Sequence, residues 1–193
     1  MATVDDHRAS FSGLETLISP LDAAVAGRTP QQACQAVASL LPLLLASHRH
    51  RLPAVVFEPV HGHYARRLLY TSPVLGYSVV AMTWAPGQGT PIHDHDHQWC
   101  VDVVCQGRLD ITPYRVIDRD DDGWSFAPLP VQTVHSGQCS ALLPPEEYHR
   151  VHNPDPHEVA VSIHVYQGTV ARYTAFDPDG ERYLPRDVVI WLD

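Results

Sequence analysis

The chain has 193 residues, 45% of them hydrophobic and 18% charged, which supplies one core and is too little charge for a disordered chain. Thirteen Lys plus Arg stand against 22 Asp plus Glu, and the net charge of −9 would repel a phosphate backbone or an anionic bilayer, so neither nucleic acid nor a membrane is expected as a partner. The 17 Pro and 11 Gly argue against a helical bundle, and the 13 His are an unusual number that concentrates attention on where they cluster.

Residues Met1 to Asp6 show no basic region followed by an apolar run, so no leader is expected, and the apolar stretch Leu40 to Ala46 is interrupted by Pro42 and too short to span a bilayer. Cys34, Cys100, Cys105 and Cys139 form no C-x-x-C pair, so thiols in a cytoplasmic protein are the expectation. A first helix is predicted from near Phe11, broken or re-capped at Ser19-Pro20. A second starts at Thr29, where Thr29, Pro30 and Gln32 read as an N-cap, a first-turn proline and a capping-box partner. Cys34, Val37, Leu41 and Leu44 then form one apolar stripe, and Pro42 is expected to kink or end the helix. Residues 1–50 are thus read as an N-terminal helical cover on residues 51–193, a single domain overall.

Beyond Leu52 the pattern changes to short runs rich in Val, Ile, Tyr and Thr between turn residues, the mark of an antiparallel β protein closing as a barrel or sandwich. Predicted strands are 64–70, 77–84, 98–105, 108–116, 132–135 and 159–167. The acidic run Asp118 to Gly123 opens like a calcium loop, but Leu129 stands where a bidentate Glu belongs, and a solvated hairpin tip is the better reading.

Residues 87 to 107 read GQGTPIHDHDHQWCVDVVCQG. On an extended strand His93 and His95 share a face, as two ligands of one metal ion would. His97 would share it too on a straight strand, but is taken as a loop residue. Asp102, two residues past Cys100, faces the same way and is expected to need an arginine or water partner. The run Ser162-Ile163-His164-Val165-Tyr166 places a hydroxyl, an imidazole and a phenol on one strand face, which suits a relay in which Ser162 holds His164 and His164 orients Tyr166. No nucleophile elbow accompanies it, which argues against a serine hydrolase.

The first of these segments resembles the first cupin motif, G-x5-H-x-H-x4-E-x6-G, with Gly87, His93, His95 and Gly107 in register and Cys100 where Glu is usual. Pro144, His149 and Asn153 resemble the second, P-x-G-x2-H-x3-N, with Glu146 replacing the glycine. The resemblance implies a mainly β, cupin-type antiparallel β-barrel with N-terminal α-helices and a metal held by His93, His95 and His149. Three neutral imidazoles leave a divalent ion its full charge; they suit iron or catalytic zinc, and spacing does not choose between them.

With H-D-H-x4-C, Tyr148 to Val151 and S-I-H-V-Y, the chain resembles the cysteine dioxygenase family of thiol dioxygenases. That resemblance implies Fe(2+), a small thiol and O2 as reactants, Tyr166, His164, Ser162 and Cys100 in catalytic positions, and a Cys100–Tyr166 thioether. Tyr64-Ala65-Arg66 fits the family's Y-x-R segment, making Arg66, beside Tyr64, the carboxylate-binding residue, while the adjacent Arg67 points to the other face. Arg172 is a second candidate for that task. L-cysteine is the expected substrate. The alternatives are 3-mercaptopropionate, a metal-binding cupin without turnover, and a zinc hydrolase on the same histidines.

Overall fold

The computed structural model describes residues 11–48, 52–145, 147–169 and 171–193. Helices α1 (Leu14–Val25) and α2 (Pro30–His48) and a 3-10 turn (Ala54–Phe57) precede twelve strands. These are β1 (Ala65–Thr71), β2 (Ser78–Trp84), β3 (Ile92–His93), β4 (Cys100–Gln106), β5 (Arg108–Asp120), β6 (Gly123–Pro128), β7 (Gln132–His135), β8 (Cys139–Leu142), β9 (His149–His152), β10 (Ala160–Tyr166), β11 (Arg172–Asp179) and β12 (Arg182–Val189). One sheet runs β1-β2-β10-β4-β8 and the other β6-β12-β11-β3-β9-β5-β7, with β6 also paired to β5. The pairings are antiparallel, and the molecule is a mainly β barrel of the cupin type with two helices before it. No described helix is long and apolar enough to cross a membrane.

Period-two alternation divides the five-stranded sheet into two apolar faces. Val161, Ile163 and Val165 of β10, with Val101 and Val103 of β4, meet Leu17, Leu21, Val37 and Leu41 of the helices in one buried cluster. Val80, Met82, Cys100, Val104 and Tyr166 face the barrel interior with Leu109, Ile111 and Val151 of the other sheet. The predicted stripe of α2 is buried as expected, and the capping box forms reciprocally: the Gln32 N–H donates to Thr29 Oγ1 at 3.3 Å and the Thr29 N–H to Gln32 Oε1 at 3.1 Å. Neither proline interrupts its helix. Pro20 lies within α1 and Pro42 within α2. An interior proline costs roughly 3 kcal/mol, but Ile18 and Leu21 beside Pro20, and Leu41, Leu44 and Leu45 around Pro42, are buried and hold each helix across the missing bond.

The longer predicted strands fall within a residue or two of β1, β2, β4, β7 and β10, whereas β3, β6, β8, β9, β11 and β12 were not predicted from the sequence. Most of these are short or carry Pro and charge, and tertiary pairing rather than propensity makes them strands. Strand β5 continues to Asp120 and turns into β6 at the acidic tip, where Arg182 pairs with Asp120 at 2.8 Å and Asp118 at 3.6 Å. The tip is therefore tied to β12 as well as solvated.

Behind the cavity described below, Asp102 of β4 faces the interior and is 4% exposed. It lies across from Ser140 of β8 and His164 of β10. Its partner is Ser140, whose hydroxyl donates to Oδ1 at 3.0 Å, not an arginine; Oδ2 is buried with no partner among the described residues. Burial pushes its carboxyl up to about 7, against the pull of the Ser140 hydrogen bond. The native protein thus keeps a proton here that the unfolded chain releases near the ordinary carboxyl value, so the acid form favours folding and stability falls as pH rises towards about 7. Asp102→Asn, which titrates nowhere in this range, is expected to gain on the wild type by roughly 1.4 kcal/mol per pH unit between about pH 5 and 7 in urea unfolding. A stability difference that does not change with pH would reject the assignment.

Candidate metal centre

His93 and His149 are direct cross-strand partners on β3 and β9, so their side chains leave the sheet on the same side. His95 follows two residues after His93, just past the end of β3. Strand β3 ends at His93, and Asp96 and His97 take left-handed backbone angles, φ 53° and 60°, which turn the chain. The turn comes after His95: the Asp94 N–H still bonds the Thr174 carbonyl of β11 at 3.1 Å, so the extended path runs on past His93, in keeping with a shared face for His93 and His95. One ligand atom from each of the three histidines lies within 4.8 Å of the others, and the ring centroids are 4.3, 4.9 and 5.3 Å apart.

All three histidines are buried. Desolvation, and then the neighbouring His149, holds His93 and His95 well below the usual imidazole range; burial lowers His149 to about 4, opposed by the Glu147 carbonyl. The rings are therefore neutral near pH 7, with lone pairs available. His93 Nδ1 is 3.2 Å from the Pro91 carbonyl and His149 Nδ1 is 3.0 Å from that of Glu147, so each donates backwards and leaves Nε2 as the ligand atom. This donor set fits a divalent transition metal.

The histidines line a small cavity shared with Tyr64, Arg66, Trp84, His164, Tyr166 and Tyr173. Arg66 is 4% exposed. Its Nη2 donates to the Tyr64 hydroxyl, while Nε and Nη1 are buried without a partner among the described residues. Tyr64 stacks on Trp84 at 4.4 Å, and the guanidinium lies 5.1 Å from the Tyr173 ring, which itself stands 5.4 Å from His93. Arg67 points the other way, as its alternation requires, yet it too is buried, donating to Thr83 Oγ1 at 3.0 Å and to the Glu58 carbonyl at 2.8 Å.

On β10, Ser162, His164 and Tyr166 share the inner face, but the hydrogen bonds differ from the expected relay. The Trp84 indole N–H donates to Ser162 Oγ at 2.9 Å, leaving the Ser162 proton for His164 Nε2 at 2.8 Å. His164 therefore carries its proton on Nδ1, which faces Cys100 Sγ at 3.8 Å, while its ring stacks parallel to Tyr166 at 5.9 Å. The chain of contacts runs Trp84, Ser162, His164, Cys100 and reaches Tyr166 through Cys100, not from His164 directly. Burial, with His149 and Arg66 nearby, lowers His164 to about 3, so it stays neutral. Cys100 and Tyr166 are paired across β4 and β10; burial raises both, and a hydrogen bond between them partly offsets the shift on Cys100.

Arg172 is exposed at the start of β11; its neighbour Tyr173 faces the cavity instead, as strand alternation there would have predicted had β11 been recognised. The motif position Glu146 lies outside the described residues. Three further contributors went unnoticed in the sequence. Trp84 sits nine residues before His93, with no local signal for its bond to Ser162. Glu147 reads as a charged loop residue. The segment 190–193 closes on the cavity through long-range contacts alone: Ile190 lines it, Trp191 lies 5.8 Å from the Arg66 guanidinium, and Asp193 both accepts the Arg66 N–H at 2.9 Å and donates its own N–H to the Arg66 carbonyl at 2.8 Å.

The family model described as cysteine dioxygenase type I matches residues 57–179, more than half of the chain. Cysteine dioxygenase type 1 of Rattus norvegicus is 29% identical over 101 residues, covering 52% of this chain and 50% of the rat protein. The Homo sapiens protein of the same name is 28% identical over the same length and the same shares. The chain thus spans about half the length of the curated relatives it matches. Among solved structures, an uncharacterized conserved protein with a double-stranded β-helix domain from Klebsiella pneumoniae is 19% identical with a TM-score of 0.49, covering 65% of this chain and 90% of that one. The match over residues 57–179 takes in the three histidines, Arg66 and the β10 segment, and the chain belongs to the cysteine dioxygenase type I family.

Proposed function

We propose that the protein is an iron(II)-dependent thiol dioxygenase that adds both atoms of O2 to the sulfur of L-cysteine, giving cysteine sulfinic acid. The observation that carries this reading is one cavity in which three neutral imidazoles accompany a buried guanidinium whose Nε and Nη1 have no partner among the described residues. Iron held by His93, His95 and His149 would supply a site for a thiolate and the means to activate dioxygen.

The chain's own residues do the rest. Arg66 receives the substrate carboxylate through charge-assisted hydrogen bonds from its unpaired donors, and the low dielectric of the cavity strengthens them. Tyr64 occupies the third donor and Trp84 backs Tyr64, so the guanidinium is oriented before substrate arrives. Tyr166, whose ring lies 5.4 Å from that of His95, keeps its proton because burial raises the phenol, and so offers a hydrogen bond as charge develops on oxygen. Ser162 holds His164 in the tautomer whose N–H faces Cys100.

Three outcomes test the reading. Protein purified without added metal is expected to carry iron, and alanine at His93, His95 or His149 to abolish it; full iron in His149→Ala would remove the ligand assignment. Oxygen uptake with a panel of small thiols is expected to favour L-cysteine over 3-mercaptopropionate. Arg66→Gln should then lose about 2–5 kcal/mol of transition-state binding for cysteine, on the order of thirtyfold or more in kcat/KM, with a smaller effect on the amine-free thiol. Preference of the wild type for 3-mercaptopropionate, or unchanged cysteine kinetics in Arg66→Gln, would sink the assignment of Arg66 to cysteine.

The pairing of Cys100 with Tyr166 across β4 and β10 supports a thioether between them. A carbon–sulfur bond would replace the S–H and one ring C–H, two protons leaving and the electron pair passing to dioxygen. Peptide mass mapping after aerobic turnover is expected to find a species lighter by two hydrogens, absent from Cys100→Ser; its absence from the wild type would dismiss the cross-link.

A further inference from the structure

The three histidines are not held equally. His93 and His149 lie on paired strands, and each ring is fixed from behind by a backbone carbonyl. His95 lies past the end of β3 on a turn, and its Nδ1 is buried with no partner among the described residues. Its ring direction therefore depends on how its backbone is held. That turn is costly on its own, since Asp96 and His97 both occupy the left-handed region without being glycine, at roughly 1 kcal/mol or more each.

Glu147 is the group that grips this turn. It is 1% exposed, and one carboxylate oxygen accepts the His95 N–H at 3.3 Å while the other lies 3.3 Å from His97 Nδ1. The same residue's carbonyl accepts from His149 Nδ1 at 3.0 Å. On the far side Asp94 ties the turn to β11, its Oδ1 accepting the Thr174 N–H at 2.8 Å and the Asp96 N–H at 3.3 Å. One residue thus spans two ligands: its main chain orients His149, and its side chain anchors the backbone of His95.

We propose that the Glu147 carboxylate is a positioning residue of the metal centre, fixing His95 to the strand that carries His149. The inference rests on reading His93, His95 and His149 as metal ligands, and it concerns metal affinity, not the identity of the thiol. Outer groups that orient metal ligands are generally worth about 10–100-fold in affinity. His97, whose side chain is 83% exposed, adds only one contact from the solvent side of that carboxylate. The acceptor for His95 is the part that matters, and glutamine can still supply one.

The test is competition of metal-free protein against a chromophoric chelator for Co2+, an air-stable ion suited to imidazole ligands, with the unfolding temperature of each metal-free variant recorded alongside. Glu147→Ala is expected to bind cobalt about 10–100-fold more weakly. Glu147→Gln and His97→Ala are expected to stay within about threefold of the wild type, as for loss of one solvent-side contact. Cobalt affinity unchanged in Glu147→Ala, or reduced as much in Glu147→Gln as in Glu147→Ala, would overturn the proposal. If the alanine variant does not fold, Glu147→Asp takes its place: it keeps the charge but retracts it by one methylene, so wild-type affinity there would equally overturn the role. A wild type that takes up no cobalt would overturn the metal centre and this inference with it, whereas cobalt binding without thiol oxidation would reject only the proposed reaction.

Discussion

The direct opposition of His93 and His149 across β3 and β9 is the contact on which the rest of the site depends. Residues opposite one another in an antiparallel pair project to the same face a few ångströms apart, so two ligands are delivered by sheet geometry alone. The strand β3 is only two residues long and gains its place from β9 on one side and β11 on the other. Because both neighbours are fixed, the extended path holds past His93, where the Asp94 N–H still bonds the Thr174 carbonyl of β11, and the chain turns at Asp96 and His97 only after His95 has been placed.

Electrostatics then sorts the cavity. The protein is acidic as a whole, yet the titratable groups lining this cavity are neutral imidazoles, protonated phenols and one guanidinium. Burial favours the uncharged form of His93, His95, His149, His164, Tyr64 and Tyr166, while Arg66 keeps its proton. The outcome is a small positive enclosure inside a negative molecule, suited to holding an anion in place. Asp102, a buried carboxyl behind the cavity, is itself held towards its neutral form and adds little opposing charge below about pH 7.

How much of this was legible in the sequence depends on the range of the interaction. Alternation within a strand is local, so the faces of β10 and the opposite directions of Arg66 and Arg67 could be read from residue spacing. The capping box of α2 is equally local and formed as expected. Cross-strand and end-of-chain contacts are not local: the bond from Trp84 to Ser162 joins β2 to β10, and Asp193 reaches Arg66 from the far end of the sequence. That is why the tautomer of His164, and with it the turn of the relay towards Cys100, could not be foreseen. Prolines 20 and 42 end neither helix for the same reason, since burial on both sides of each outweighs a preference measured in isolated helices.

The arginine doublet on β1 has a consequence for how that strand finds its place. A slip of one residue exchanges the two faces of a strand, and at positions 66 and 67 the exchange would swap one guanidinium for another. Side-chain identity at these two positions therefore does not distinguish the correct alignment from its neighbour. The distinction falls to features that do not commute: the irregularity between Leu68 and Tyr70, the stacking of Tyr64 on Trp84, and the two backbone bonds by which Asp193 grasps residue 66 and no other. Alignment of β1 is thus proofread from outside the strand, by a segment that can dock only after nearly the whole chain is in place.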